Sequence, residues 1–268
     1  MGPTRLLLSA LAALACACSA APPATSAPSD AGTDAKHKID AGPRDAAPAD
    51  VDPRYDRMTS GGGAVLANMK LAIVYIGDDT DGAPSRDEYV TWLVGSGWWG
   101  IMNQYGVGTG SVVGSVRVPK ADVFQPGDVD ANGVTYGELV DARVDALVQP
   151  ADGGPSAVPA ADAYLVFLPW GVNVDIGGVT CDMYYGYHSA TLFGHVPYAI
   201  MPPCTGGHSG TSISHELAEM ATDPFPESGW ADHTMTEGEI GDLCNAPAFW
   251  DGQLVTRLWS NEAGACVP

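Results

Sequence analysis

Basic side chains are scarce in this chain, which has 268 residues with 12 lysines and arginines against 32 aspartates and glutamates. The formal net charge of −20 argues against nucleic acid and anionic membranes as partners, because both repel an acidic surface. The chain also lacks the GxSxG turn of many serine hydrolases and the CxxC pair of many zinc sites. These absences turn attention to histidine and carboxylate chemistry.

The N-terminus is typical of an export signal. Arg5 precedes a short apolar run over residues 6–14, which is too short to span a membrane as a helix. Small residues then precede Cys16 and Cys18, as in a bacterial lipoprotein signal whose cysteine becomes lipidated. We therefore predict a lipoprotein-type signal peptide over residues 1–18, with plain secretory cleavage near Ala20 as the alternative. The protein would be an outer-membrane or cell-surface lipoprotein, or secreted, with a membrane contact only through the lipid anchor.

Residues 19–62 are rich in Ala, Pro and Asp and have almost no large apolar side chains. Such a segment buries too little surface to offset its ordering entropy, so it predicts a disordered tether. Residues 63–268 form the predicted globular domain, which we expect to be monomeric. Apolar runs predict strands at 70–77, 111–118, 163–169, 196–201 and 254–259, and capping patterns predict helices that start near Ser85 and Thr135.

Four cysteines remain after the leader: Cys181, Cys204, Cys244 and Cys266. An even number of cysteines in an exported chain favours two disulfides. Of the three possible pairings, the order along the chain favours Cys181–Cys204 and Cys244–Cys266, because each closes a moderate local loop.

The segment Ser214-His-Glu-Leu-Ala-Glu-Met220 carries the strongest chemical signal. On a helix, His215 and Glu219 are one turn apart and lie on the same face, so both can bind one metal ion while Glu216 stands beside it. This is the arrangement of HExxH metallohydrolases, with Glu in place of the second His. The ordinary alternative is a charged helix face with no ligand.

A third metal ligand must come from elsewhere, and Glu239 is the best candidate. It lies 24 residues after His215 and 20 after Glu219, offsets that resemble the gluzincins, the thermolysin-like metallopeptidases. The resemblance implies an α+β, zincin-like single domain with a mixed β-sheet and an active-site helix. It also implies that Asp242 orients a metal-bound histidine, although Asp242 stands one residue closer than in that group.

The predicted chemistry is hydrolysis by a metal-activated water, most naturally with Zn²⁺. The ion would be bound by His215, Glu219 and Glu239, and it would lower the pKa of its water towards ~7. Glu216 would act as the general base. One His and two carboxylates form a harder, more anionic donor set than two His and one carboxylate, which also favours Mn²⁺ or Ca²⁺. Four further histidines are candidates for stabilising the oxyanion: His188, His195, His208 and His233.

A wider resemblance spans most of the domain. Its specific part consists of Tyr187-His-Ser189, Val196-Pro-Tyr-Ala-Ile200, Ser214–Pro224 and Glu239-Ile-Gly-Asp-Leu-Cys244. Weaker similarity lies upstream, at Ile73–Gly77, Trp98-Trp99 and Gln104-Tyr-Gly106. Together these segments resemble the phosphate-induced, EXORDIUM-like extracellular family, whose members are secreted and in plants are linked to the cell wall. The resemblance implies an exported domain rather than a defined substrate.

Asp128, Asp130 and Asn132 form a second, weaker pattern. They resemble the first half of a calcium loop, but the closing Glu of an EF-hand stands at position 12, where this chain has Leu139. The alternative is an Asx-rich turn that leads into the Thr135 helix.

Two functions therefore stand as expectations from the sequence. The first is an exported metal-dependent hydrolase, most naturally a peptidase, that acts on a peptide or cell-envelope substrate. The second is a non-catalytic extracellular binding module that keeps the HExxE helix for structure.

Overall fold

The structure is a computed structural model that describes residues 58–77, 83–149, 156, 158–182, 184–191, 195–204, 210–226, 228–236 and 238–268. The predicted signal peptide and most of the predicted tether lie outside the described residues. Within these ranges the helices are α1 (Ala83–Gly95), α2 (Lys120–Val123), α3 (Gly137–Val148) and α4 (Gly210–Thr222), and Trp99–Tyr105 forms a 3₁₀ helix. The strands are β1 (Thr59–Ser60), β2 (Lys70–Ile76), β3 (Ser111–Val118), β4 (Val134–Tyr136), β5 (Ala163–Phe167), β6 (Asn173–Asp175), β7 (Tyr187–Ala190), β8 (Pro197–Met201), β9 (Trp230–Ala231), β10 (Pro247–Trp250), β11 (Gln253–Thr256), β12 (Leu258–Ser260) and β13 (Ala265–Val267).

A mixed five-stranded sheet in the order β3-β2-β5-β8-β7 forms the centre of this mixed α/β architecture. Its first four strands are parallel, and β7 adds to the edge antiparallel to β8. The central strands β5 and β8 are buried along their whole length, as expected for continuous apolar runs covered on both faces. The predicted strands at 70–77, 111–118, 163–169 and 196–201 correspond to β2, β3, β5 and β8, whereas the run at 254–259 divides between β11 and β12.

The two faces of the sheet support two separate hydrophobic clusters. Alternation along β8 sends Ala199 and Met201 to the cluster that includes α1, α4 and the 3₁₀ helix. Tyr198 and Ile200 point to the opposite cluster, which includes α3. The side of the sheet on which a β7 residue lies therefore decides whether it meets α4 or α3.

Helix α4 is buried to an unusual extent, because every residue from Ile213 to Thr222 has little exposure to solvent. Its apolar side, with Leu217 and Met220, packs in the cluster beneath the sheet. The helix contacts β7, β8 and β11. Its polar side is therefore covered by protein, which demands partners for every charged group on it.

The fold also includes residues that composition assigned to the tether. Met58 is 1% exposed, and β1 pairs with β9. The apolar Met58 side chain supplies an anchor that the low-complexity composition of 19–62 conceals, so the ordered part begins at least five residues before the predicted boundary at 63.

Both predicted disulfides are present, Cys181–Cys204 and Cys244–Cys266. They indicate an oxidising, extracellular environment. Within the described ranges, no helix is both long enough and apolar enough to cross a membrane.

The Asp-rich segment at 128–132 forms a turn whose carboxylates accept hydrogen bonds from the turn itself and from nearby residues. Oδ1 of Asp130 accepts hydrogen bonds from the backbone N–H groups of Asn132 and Val134, at 2.8 and 2.9 Å. Oδ2 of Asp128 accepts hydrogen bonds from Gln125 N–H and Arg143 Nε. These contacts fit the Asx-turn alternative, and calcium binding at Asp128, Asp130 and Asn132 stays a prediction.

Candidate metal centre

Helix α4 places the first three side chains of the site. His215, Glu216 and Glu219 are 2%, 0% and 1% exposed, so solvent reaches almost none of their surface. His215 and Glu219 are one turn apart, and His215 Nε2 lies 2.8 Å from Glu219 Oε1. The predicted geometry of this pair is therefore present in the structure.

Strand β7 brings a fourth side chain, His188, to the same place. His188 is paired with Ala199 across the sheet, and residues directly opposite each other share a face. Ala199 belongs to the cluster beneath α4, so His188 points at that helix. The imidazole of His188 is fully buried there.

The loop between β9 and β10 supplies Glu239 and Asp242. Ile240 and Leu243 are buried in the hydrophobic cluster, and the Cys244–Cys266 disulfide follows directly. A hydrogen bond of 3.0 Å from Trp259 N–H to the Ile240 carbonyl ties the loop to β12. These anchors hold the two acidic side chains against α4.

Two glycines allow the backbone to approach the acidic side chains closely. A Cβ on Gly241 would lie 2.7 Å from His215 Nδ1 and 2.9 Å from Glu219 Oε1. A Cβ on Gly186, just before β7, would lie 2.8 Å from Glu216 Cγ. Any larger residue at either position would have to displace a side chain of the site.

His188 is surrounded by three carboxylates. Its Nδ1 atom lies 3.8 Å from Glu216 Oε2 and 3.7 Å from Glu219 Oε2. On the other side of the ring, Nε2 lies 3.3 Å from Glu239 Oε1. His188, Glu216 and Glu219 each offer a ligand atom within 4.8 Å of the other two.

His215 belongs to a second group that shares Glu219. Its Nε2 atom lies 2.8 Å from Glu219 Oε1 and 3.3 Å from Asp242 Oδ1. The Asp242 backbone N–H also donates to Glu219 Oε1, at 3.2 Å. His215, Glu219 and Asp242 likewise offer ligand atoms within 4.8 Å of one another. The two oxygens of Glu219 thus face two different imidazoles.

The structure therefore places the acidic residues of the loop beside different histidines, which their spacing along the chain did not predict. His215, Glu216 and Glu219 lie together, as the HExxE motif predicts. Glu239 contacts His188, whereas Asp242, predicted to orient the metal-bound histidine, is the acid beside His215. From the sequence, His188 is one of four oxyanion candidates and part of the Tyr187-His-Ser189 segment, and it is not a predicted metal ligand. Its place in the site depends on its pairing with Ala199 across β7 and β8, which local spacing does not reveal.

The remaining oxyanion candidates make contacts elsewhere or are not described. His195 packs edge-on against the Phe225 ring, and His233 Nε2 lies 3.1 Å from the Thr59 carbonyl oxygen. His208 lies outside the described residues. Among the oxyanion candidates that the structure describes, His188 is the one that lies within ion-pair distance of Glu216.

Burial and charge act in opposite directions on the protonation of these groups. Burial by itself would lower the pKa of His188, but the charge of Glu239 and the nearby Glu216 and Glu219 raise it well above the usual value. Burial raises the pKa of Glu216, and His188 and His215 oppose that rise. Burial also raises the pKa of Asp223, with Glu239 adding to the effect. In the absence of a cation, the cluster thus tends to take up protons.

The donor set fits a divalent cation. Both ring nitrogens of His188 and both carboxylate oxygens of Glu239 are buried without a hydrogen-bond partner, although buried polar atoms are normally satisfied. Among the described residues, only histidines lie within ion-pair distance of Glu219 and Glu239. Imidazole and carboxylate are the ligands of Zn²⁺ and Mn²⁺, so a bound cation would satisfy atoms that the protein leaves without partners.

No family model, no curated protein and no solved structure matched the chain.

Proposed function

We propose that the protein is an exported metal-dependent hydrolase, most naturally a peptidase, with a zincin-like fold. The observation that supports it is the convergence of His188, Glu219 and Glu239 with the HExxE helix in one buried cluster. Isolated buried carboxylates are costly and are normally paired or bound to metal. Because burying these carboxylates destabilises the fold, the cluster is expected to have a function other than stabilising it.

Glu219, which lies between His215 and His188, is the central metal ligand in this proposal. His215 binds the same ion from the same helix. Asp242 is the next acidic group to His215 after Glu219, at 3.3 Å from Nε2, and completes the set. Glu239 stays the alternative third ligand that the spacing predicted. When bound, Zn²⁺ would act as a Lewis acid that polarises the scissile carbonyl and makes water more acidic.

Glu216 and His188 then carry out proton transfer and oxyanion stabilisation, respectively. Glu216 takes a proton from the attacking water and delivers it to the leaving amine. His188, close to Glu216 and held by Glu239, donates a hydrogen bond to the oxygen that gains negative charge.

Replacing the base tests this proposal. Glu216→Gln keeps the shape of the side chain and removes its basicity, so we expect hydrolysis of a peptide panel to fall by roughly 10²–10⁴-fold. Zinc content, measured by plasma mass spectrometry, should stay at the wild-type level. Wild-type protein that contains no metal after gentle purification, and that hydrolyses no peptide in the presence of added Zn²⁺, would contradict the proposal.

The burial of the cluster favours a second candidate, a non-catalytic extracellular module in which the cation is structural. Glu216 is 0% exposed, and the cavity of about 200 Å³ at the start of α4 contains none of the cluster's side chains. In that case, metal removal should lower the melting temperature, while the wild type should hydrolyse no peptide. The EXORDIUM-like resemblance suits this candidate as well.

We further propose that the protein is exported as a lipoprotein, with the lipid on Cys16 or Cys18. The disulfides support export, and the small residues before each cysteine support lipidation. Metabolic labelling with a clickable palmitate in a bacterial host would detect the anchor, and Cys16→Ser and Cys18→Ser would identify its position.

A further inference from the structure

We infer that the cluster contains a second cation position, formed by His188 Nδ1, Glu216 and the Oε2 oxygen of Glu219. This inference rests on the proposed function, because it assigns the His215 side of Glu219 to the first cation. Glu219 would then bridge two cations, with one oxygen for each.

The orientation of Glu219 is the first argument for two positions. Its Oε1 atom lies 2.8 Å from His215 Nε2, while its Oε2 atom lies 3.7 Å from His188 Nδ1. Each carboxylate oxygen therefore faces a different imidazole, and each imidazole has a further acid beside it, Glu216 or Asp242. One cation that bound both imidazoles would leave this division unexplained.

The second argument is the state of His188 itself. The imidazole is fully buried, and its Nδ1 atom has no hydrogen-bond partner although it faces two carboxylates. Glu239 lies at the opposite ring nitrogen, 3.3 Å from Nε2. A carboxylate on one nitrogen and a metal on the other is the usual environment of a metal-ligating histidine, because the carboxylate fixes the tautomer. Glu239 would thus act as a positioning residue for the second cation.

Filling this position has a consequence for the proposed reaction. It would engage Glu216 and His188, the two groups assigned to proton transfer and oxyanion stabilisation. We therefore expect the form with one cation to be active and the form with two cations to be inhibited. Hydrolysis should rise and then fall as the Zn²⁺ concentration increases.

Binding stoichiometry tests the inference independently of activity. The full-length protein is stripped with a chelator and titrated with Zn²⁺ by calorimetry, with bound metal checked by mass spectrometry. We expect two equivalents for the wild type and one each for His188→Gln and Asp242→Asn. One equivalent in the wild type would overturn the second position and leave the proposed function intact, whereas none would overturn both.

Two further results keep the test decisive. Two equivalents that persist in His188→Gln would show that the second cation binds elsewhere, which also overturns the inference. If His188→Gln fails to fold, as judged by near-ultraviolet circular dichroism, the wild type loaded with Mn²⁺ decides. Two ions that share Glu219 should give an exchange-coupled electron paramagnetic resonance spectrum, and two uncoupled ions would contradict a shared ligand.

Discussion

Gly241→Ala gives the sharpest test of how the loop and α4 form the site together. The new Cβ would lie 2.7 Å from His215 Nδ1 and 2.9 Å from Glu219 Oε1, where ordinary contact begins near 3.4 Å. The loop or the imidazole must therefore move by about 0.7 Å. Because Gly241 has no left-handed backbone conformation that would itself penalise alanine, the effect is purely steric.

The expected loss follows from that displacement. Overpacking of a buried site costs roughly 1–3 kcal/mol of unfolding free energy. Metal ligands must stay within a few tenths of an ångström of their preferred distances, and disturbing their supports typically weakens binding by about 10–100-fold. We therefore expect a 10- to 100-fold higher Kd for Zn²⁺, measured by calorimetry against a competing chelator, together with a lower urea midpoint.

Gly95→Ala is the matched control, because its Cβ would meet nothing within 4 Å at the exposed end of α1. Its zinc affinity should equal that of the wild type, and its stability should change by at most about 1 kcal/mol, in the stabilising direction. Equal zinc affinity and equal stability in Gly241→Ala and the wild type would refute the close approach between the loop and α4.

Three other predictions concern the surrounding fold. Burial, together with the charge of Glu138, raises the pKa of Asp141 from 3.8 to about 7. The stability that protonated Asp141 contributes is therefore complete below pH ~4 and is lost as the pH rises through ~7. The stability difference between wild type and Asp141→Asn should therefore shrink by roughly 2–3 kcal/mol between pH 5 and 8 in urea titrations. A pH-independent difference would contradict this. Replacing Cys244 and Cys266 by serine should lower the free energy of unfolding by about 2–4 kcal/mol. It should also weaken zinc binding, because the disulfide anchors the loop that carries Glu239 and Asp242. Unchanged zinc affinity would show that the disulfide does not hold this loop in the site. Met58→Ala should lower the free energy of unfolding by about 2–5 kcal/mol, because the Met58 side chain is buried. A negligible effect on the melting temperature would instead indicate that residues 58–62 belong to the tether, as the composition predicted.

Local patterns were enough to predict much of the fold. Continuous apolar runs mark β2, β5 and β8, because strands covered on both faces carry no polar alternation. The HExxE spacing places His215 and Glu219 on one face of α4, because helical periodicity fixes their relation within one turn. Chain order was also enough to pair the cysteines. In contrast, Thr135 lies in β4 and α3 begins without a side-chain cap, so the predicted capping box does not form.

Only the tertiary structure decided which distant side chains meet α4. His188 reaches the site because the edge strand β7 pairs antiparallel with β8 and places it opposite Ala199, a register that no local spacing encodes. Glu239 and Asp242 reach it from one loop, between β9 and β10, but the loop's anchors set Glu239 against His188 and Asp242 against His215. A spacing along the chain can predict that an acid is near, whereas the choice of imidazole depends on packing between segments far apart in sequence.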